Sequence, residues 1–315
     1  MGWDKETIIL QDGRTVEAQA PVIVSASRST DIPAFHSDWL MDSLKKGYLK
    51  WKNPFNGQHL YISFNHTRLI VFWTKNPQPI MPHLDYLDEK GIHYYFQFTL
   101  NDYEKEDLEP HVPALQSRIE TFIHLSERIG KEKIIWRFDP LVLTDEIGVD
   151  ELLQKAESIG NQLKNYTKKM VFSFADIQTY KKVQNRLKKN HIHYLEFDEK
   201  QMHEFATGIS ELNKNWNFEL ATCAEVIPLE QYGIIHNKCV DDDLMIRYFP
   251  HDKKLMDFLG VDTSPKNLFG NKPTVSQKKN NKDKGQRLLC GCIVSKDIGA
   301  YNTCPHLCKY CYANE

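Results

Sequence analysis

RLIVFWT (68–74), HYYFQFT (93–99) and KIIWRF (133–138) are short apolar, β-rich runs separated by polar, helix-patterned sequence. Parallel strands covered on both faces read as continuous apolar runs rather than as strict alternation. Working outward, VIVSAS (22–27) precedes these runs, and KMVFSF (169–174) and NFELATC (217–223) come after them. Their starts lie about 25 to 48 residues apart, room for a strand and a crossover helix in each unit. Between the third and fourth runs Leu115, Ile119, Phe122, Ile123 and Ile129 share one helical face; between the fourth and fifth, Leu152, Leu153, Ala156, Ile159 and Leu163 do the same. HSDWLMDSLKKG (36–47) reads as a helix closed by Gly47, and YKKVQNRLKKN (180–190) as a strongly basic one.

Six such units predict an α/β protein, and six parallel strands can form either an open doubly wound sheet or a barrel. The strand ends favour the barrel. Each run finishes in polar groups: Arg28 and Asp31; Lys75; Thr99 and Asn101; Arg137 and Asp139; Ser173 and Asp176; Cys223 and Glu225. In barrels chemistry gathers at the C-terminal rim, where loops vary over a rigid base. The expectation is a partial or full TIM-like (β/α) barrel of about six or more parallel strands over residues 1–260. A polar, Lys-rich linker is expected over 261–289, then a cysteine-rich tail, 290–315, folded over the barrel mouth.

Composition narrows the function classes. The 315 residues are 41% hydrophobic and 26% charged, which excludes collagen-like and wholly disordered chains. Forty Lys and Arg against 42 Asp and Glu leave a net charge of -2, so no global positive field holds a nucleic-acid backbone. The lysines of 272–287 could still touch phosphate, but a solvated tether is the favoured reading. The N-terminus shows no signal-peptide pattern, and no stretch has the roughly 18 apolar residues of a membrane span. A cytoplasmic protein without a membrane partner is expected, acting on a small polar molecule or a peptide.

All seven cysteines lie in the last third: Cys223, Cys239, Cys290, Cys292, Cys304, Cys308 and Cys311. In a reducing compartment such clustering points to metal. Cys304, Cys308 and Cys311 have the spacing C-x3-C-x2-C, with which one short loop wraps three corners of a cubane iron–sulfur cluster and leaves the fourth iron open. Zinc is the competing ion, with His306 or another cysteine as fourth ligand. Cys223, Cys239, Cys290 and Cys292 number enough for a second, closed site holding zinc or another iron–sulfur cluster, although their spacing matches no standard motif and some could be buried structural thiols. Asp176 and Glu225 are candidate acid–base groups, and Asp297 and Asn302 can shape the turn beside the cysteine loop.

The Lys-Tyr-Cys-Tyr-Ala context of 309–313 resembles the cluster loop of the radical S-adenosylmethionine enzymes. That resemblance implies a [4Fe-4S] cluster on Cys304, Cys308 and Cys311, S-adenosylmethionine on the open iron, and Tyr310 packed beside the cofactor. It also implies a full or partial (β/α) barrel, commonly six-stranded. Arg28, Asp31, Lys75, Thr99, Asn101, Arg137, Asp139, Ser173 and Asp176 are the rim groups to meet the cofactor. In that superfamily the loop usually comes after the first strand, whereas here it lies at the end of the sequence, as in a permuted barrel. IVSASRSTDIPAF (23–35), FWTKNP (72–77), RFDP (137–140), TCAE (222–225) and the residues from Cys290 to Asn314 together resemble a bacterial family of unknown function, domain 1848. The alternative to an enzyme is a non-catalytic or redox barrel whose metal only staples the tail.

Overall fold

The computed structural model describes residues 3–54, 56–261 and 279–314. Most of the linker expected over 261–289, residues 262–278, therefore lies outside the described residues, as do two of the lysines considered for phosphate contact, Lys272 and Lys278. In chain order the strands are β1 (Lys5–Ile9), β2 (Thr15–Gln19), β3 (Ile23–Ala26), β4 (Tyr48–Lys52), β5 (His59–Ser63), β6 (Leu69–Thr74) and β7 (His93–Thr99). They continue with β8 (Ile134–Leu141), β9 (Leu143–Thr144), β10 (Lys169–Phe174), β11 (Tyr194–Leu195), β12 (Glu219–Thr222), β13 (Ile235–His236) and β14 (Lys296–Asp297). The helices are α1 (Ile32–Phe35), α2 (Ser37–Lys46), α3 (Leu84–Glu89), α4 (Leu115–Ile129) and α5 (Val149–Leu163). After them come α6 (Lys181–Lys189), α7 (Glu199–Asn213), α8 (Asp242–Tyr248) and α9 (Lys253–Leu259).

All six apolar runs are strands of one eight-stranded parallel sheet, in the order β14-β3-β6-β7-β8-β10-β12-β13. From β3 to β13 spatial order matches chain order, so right-handed crossovers lay the connecting helices on one face. Phe72, Phe96, Trp136 and Phe172 point into that face and join the core with residues of α2 to α5 and α7. The alternate positions Leu69, Val71, Tyr95, Ile135, Val171 and Ala221 point the other way, to α8, α9 and Cys239, Cys290 and Cys292. The barrel expectation is thereby narrowed. The outermost strands β13 and β14 pair only with β12 and β3 among the described residues, so the pairing shows an open sequential sheet and no closed barrel.

Sequence patterning did not anticipate a second sheet, in which β1, β2, β5 and β4 lie side by side. These strands are half exposed and strongly polar, which removes the apolar signal carried by the central ones. Helices α4 and α5 occupy the segments the 3.6-residue pattern marks, and α2 ends at Gly47, where φ is 81°. Among the described residues no helix is long and apolar enough to cross a membrane.

The C-terminal residues return to the start of the sheet. Lys296 and Asp297 pair in parallel with Val24 and Ser25 of β3. The Asp297 carboxylate accepts from Ser27 Oγ at 2.7 Å, from the Arg28 backbone at 2.8 Å and from Gly299 N at 2.9 Å. Gly299 lies so close to this turn that a Cβ would stand 1.9 Å from Ser27 Oγ and 2.6 Å from Ser29 Oγ. Ser27 cannot swing away without losing Asp297. Gly299→Ala is accordingly expected to destabilise the protein by about 1–3 kcal/mol, as an overpacked site does. Urea unfolding of the two proteins side by side measures it, and equal midpoints would mean that this contact is not held in solution.

Candidate metal centre

The alternation that separates the two faces also grades the one opposite the helices. Along β6 it reads Leu69, Val71, Trp73; along β7, Tyr95, Gln97, Thr99; along β8, Ile135, Arg137, Asp139; along β10, Val171, Ser173. Apolar residues fill the N-terminal half of this face and polar groups its C-terminal half. Over the polar half lies a cavity of about 370 Å³, and all seven cysteines line it. Arg28, Asp31, Lys75, Thr99, Arg137, Asp139, Ser173, Asp176 and Tyr310 line it too. Asn101 does not. It is fully buried behind the wall, its Nδ2 within 3.2 Å of Glu109, Tyr310 and the Asp139 carbonyl.

Cys304, Cys308 and Cys311 sit on a loop fastened at many points. Arg186 of α6 donates to the carbonyls of Cys308 at 3.2 Å and Cys311 at 2.7 Å, and also to that of Asn314. Asn314 Nδ2 donates to the Cys304 carbonyl at 2.8 Å, and Ala313 N to Cys311 Sγ at 3.4 Å. Lys309 N reaches the Leu108 carbonyl at 2.9 Å, and Tyr312 stacks on Tyr180 at 5.6 Å. Cys308 is buried, and Cys304 and Cys311 are half-buried. Burial pushes the thiols of Cys304 and Cys308 up, so ionising them calls for a cation beside the sulfur.

His306 is not the fourth ligand considered for zinc. It is 2% exposed; Nδ1 faces the His111 carbonyl at 3.1 Å and Nε2 faces Asp31 Oδ2 at 3.0 Å, so both ring nitrogens are engaged. Asp31 is equally committed. It caps α1 through Ala34 N at 3.0 Å and accepts from Lys75 N at 2.7 Å, so its place is structural as much as facing the cavity.

Beneath the loop lies a buried ionic group that sequence reading missed at its centre. Glu109 takes Lys75 Nζ at 2.7 Å on Oε1, accepts from Tyr310 Oη, and has Arg118 Nη1 3.5 Å from Oε2. Lys75 also donates to Tyr310 Oη at 2.9 Å. Glu109 lies in the acidic stretch DYEKEDLE, where nothing in the sequence sets it apart from its neighbours. Arg137, 4% exposed, pairs with Asp139 and donates to Gln97 Oε1 at 3.2 Å and Cys239 Sγ at 3.0 Å. Asp139 in turn accepts from Ser173 Oγ. The guanidinium carbons of Arg28 and Arg137 lie 5.2 and 5.3 Å from the Trp73 ring centre, and Arg28 Nη2 is buried without a hydrogen-bond partner. Glu225 accepts from Phe174 N at 3.1 Å, and burial raises its carboxyl to about 7.

The model of a family described as "Domain of unknown function (DUF1848)" matches residues 23–313. No curated protein and no solved structure matches the chain.

Removing Glu109 should uncover what its group contributes. Burial alone would raise its carboxyl, but Lys75 and Arg118 outweigh that and hold it below its ordinary value of 4.5. Glu109→Ala strands two buried cations and is expected to cost about 3–5 kcal/mol. Because the folded-state value is depressed, this stabilisation is present above the unfolded value and lost as pH falls through the folded one. Denaturant midpoints of both proteins should therefore differ widely at pH 7 and converge below about pH 4.5; a gap independent of pH would contradict the assignment.

Proposed function

We propose that this chain, which belongs to the family described as domain of unknown function (DUF1848), is an iron–sulfur enzyme of the radical S-adenosylmethionine type acting on a small polar molecule or peptide. Cys304, Cys308 and Cys311 are the ligands of an open [4Fe-4S] cluster, and the cavity over the polar strand ends receives cofactor and substrate. The observation that carries this reading is the parallel pairing of β14 with β3. In that superfamily the cysteine loop usually comes after the first strand. Here it ends the family match, yet it comes directly after β14, the edge strand beside β3, in the same direction as the rest of the sheet. In space the loop thus leaves the edge strand beside β3, which supports reading the departure in sequence as a permutation of one arrangement.

The residues present fit such a group. Three thiols open from one loop into one cavity, and their backbone is pinned by Arg186. When bound, the cluster and S-adenosylmethionine supply a 5'-deoxyadenosyl radical that abstracts hydrogen from a substrate. The chain's own part is to bind, orient and exclude water. Arg28 offers a buried guanidinium nitrogen with no internal partner, the group to take a carboxylate. Trp73 gives a flat wall beneath it. Asp139, held by Arg137 and Ser173, and Asp176 present carboxylates for polar hydrogens, while Lys75 is spent on Glu109 and Tyr310 and braces the loop from below.

Anaerobically prepared protein is expected to contain iron and acid-labile sulfide and, under reducing conditions, to release 5'-deoxyadenosine from S-adenosylmethionine. Cys308→Ala should abolish that release. Unchanged release by the variant would refute the ligand assignment, and a protein carrying zinc alone would refute the radical chemistry.

A further inference from the structure

The four remaining cysteines come from three separate parts of the chain. Cys223 comes just after β12, Cys239 lies between β13 and α8, and Cys290 and Cys292 precede β14. They meet against the sheet face opposite the helices, where Cys239, Cys290 and Cys292 are buried among Tyr95, Val171, Ala221 and Met245. Cys223 Sγ and Cys239 Sγ are 3.7 Å apart, in contact but not bonded. Cys292 hydrogen-bonds with both Cys239 and Cys290. The four sulfurs thus form one unbroken row, Cys223–Cys239–Cys292–Cys290.

Thiols buried only for packing need no polar company, yet the two at the middle of the row have it. Arg137 Nη1 and Asn237 Nδ2 each donate to Cys239 Sγ at 3.0 Å. The backbone N–H groups of Cys239 and Val240 converge on Cys292 Sγ at 3.2 and 3.4 Å. A neutral thiol is a weak acceptor, so four N–H donors, one of them a guanidinium, suit sulfurs that carry negative charge. Thiolates in contact repel one another strongly in a low-dielectric core, and Arg137 already shares its charge with Asp139. A cation among the sulfurs supplies the missing compensation.

We propose that Cys223, Cys239, Cys290 and Cys292 are the four thiolate ligands of a closed, structural zinc site. The spacing of the sulfurs chooses the ion. Zinc–thiolate bonds of about 2.3 Å place the sulfurs of a tetrahedral site about 3.8 Å apart, and Cys223 and Cys239 stand at 3.7 Å. A cubane instead carries its thiolates on outer corners with the whole cluster between them, which forbids contact between neighbouring sulfurs. Among the described residues no three of the cysteine sulfurs lie mutually within 4.8 Å, so the row becomes a tetrahedron only when its ends turn inward. Zinc would draw in the thiols of Cys223 and Cys290 by rotation about χ1, which moves a cysteine sulfur by about 3 Å. The ion then clips the end of β12 and the segment between β13 and α8 to the residues that lead into β14, and so helps to hold the return of the chain to β3.

This proposal does not rest on the three-thiol centre, and one variant separates the two. The full chain with Cys304, Cys308 and Cys311 all replaced by Ala, offered zinc together with iron and sulfide under anaerobic conditions, should hold about one zinc per chain and no iron. Its zinc X-ray absorption should show four sulfur neighbours at about 2.3 Å. Iron and sulfide in place of zinc, nitrogen or oxygen neighbours around the zinc, or a zinc-free variant with unaltered far-UV circular dichroism, its thiols free or joined as disulfides, each overturns the proposal. Cys239→Ser/Cys292→Ser in the otherwise intact chain guards against a triple variant that fails to fold. It should hold about one zinc fewer than the parent and keep the parent's iron; zinc equal to the parent's, or loss of iron instead, overturns the proposal. Failure of the radical reading would show differently, as a parent without iron that still holds this zinc. Chelating the zinc of the triple variant should lower its thermal midpoint, because the ion binds the folded site. An unmoved midpoint would overturn the structural role.

Discussion

The parallel pairing of two residues, Lys296 and Asp297, with β3 is the constraint on which the site depends. It returns the chain, after α9 and residues outside the described structure, to the edge where the sheet begins. The pairing is short, and side-chain bonds reinforce it: Asp297 holds the turn after β3 through Ser27 and Arg28, and Gly299 approaches Ser27 too closely to carry a side chain. Trp51 of the smaller sheet donates to the Gly299 carbonyl at 3.0 Å, so that sheet also braces the return. The cysteine loop after β14 is thereby delivered to the C-terminal ends of β3, β6 and β7.

The second requirement is electrostatic. Charge in a low-dielectric wall must be paired. Glu109, Lys75, Arg118 and Tyr310 meet that demand under the three-thiol loop, and Asp139, Arg137 and Ser173 meet it between the two sets of thiols. Both groups are built from strand ends and the loops after them, where the graded face turns from apolar to polar. The same gradation leaves α8 and α9 an apolar floor to cover.

Much of this was legible in the sequence because the central strands are buried on both faces and announce themselves by continuous apolar runs. KMVFSF and HYYFQFT are strands over their full quoted length. The smaller sheet was silent because KETII and TVEAQ alternate burial weakly and carry charge. β13 and β14 are two residues long, too short for any pattern, and β14 is the element that turns an open set of six strands into a site. The cysteines were visible as a group, but their division into three and four rested on spacing, which says nothing of Arg137 or Asn237. Glu109 and Arg186 were invisible for the opposite reason: each stands among like-charged neighbours, and only long-range contacts single it out. His306 misled, since a histidine between two cysteines looks like a ligand, whereas here it is bound to Asp31 and the His111 carbonyl.

The central claim is that the loop of Cys304, Cys308 and Cys311 leaves one iron open to S-adenosylmethionine. Electron paramagnetic resonance of the reduced, anaerobically prepared protein, with and without S-adenosylmethionine, tests it most directly. The expected result is a signal whose g-values shift when S-adenosylmethionine is added. A cluster signal that is identical in its presence and absence would contradict the claim.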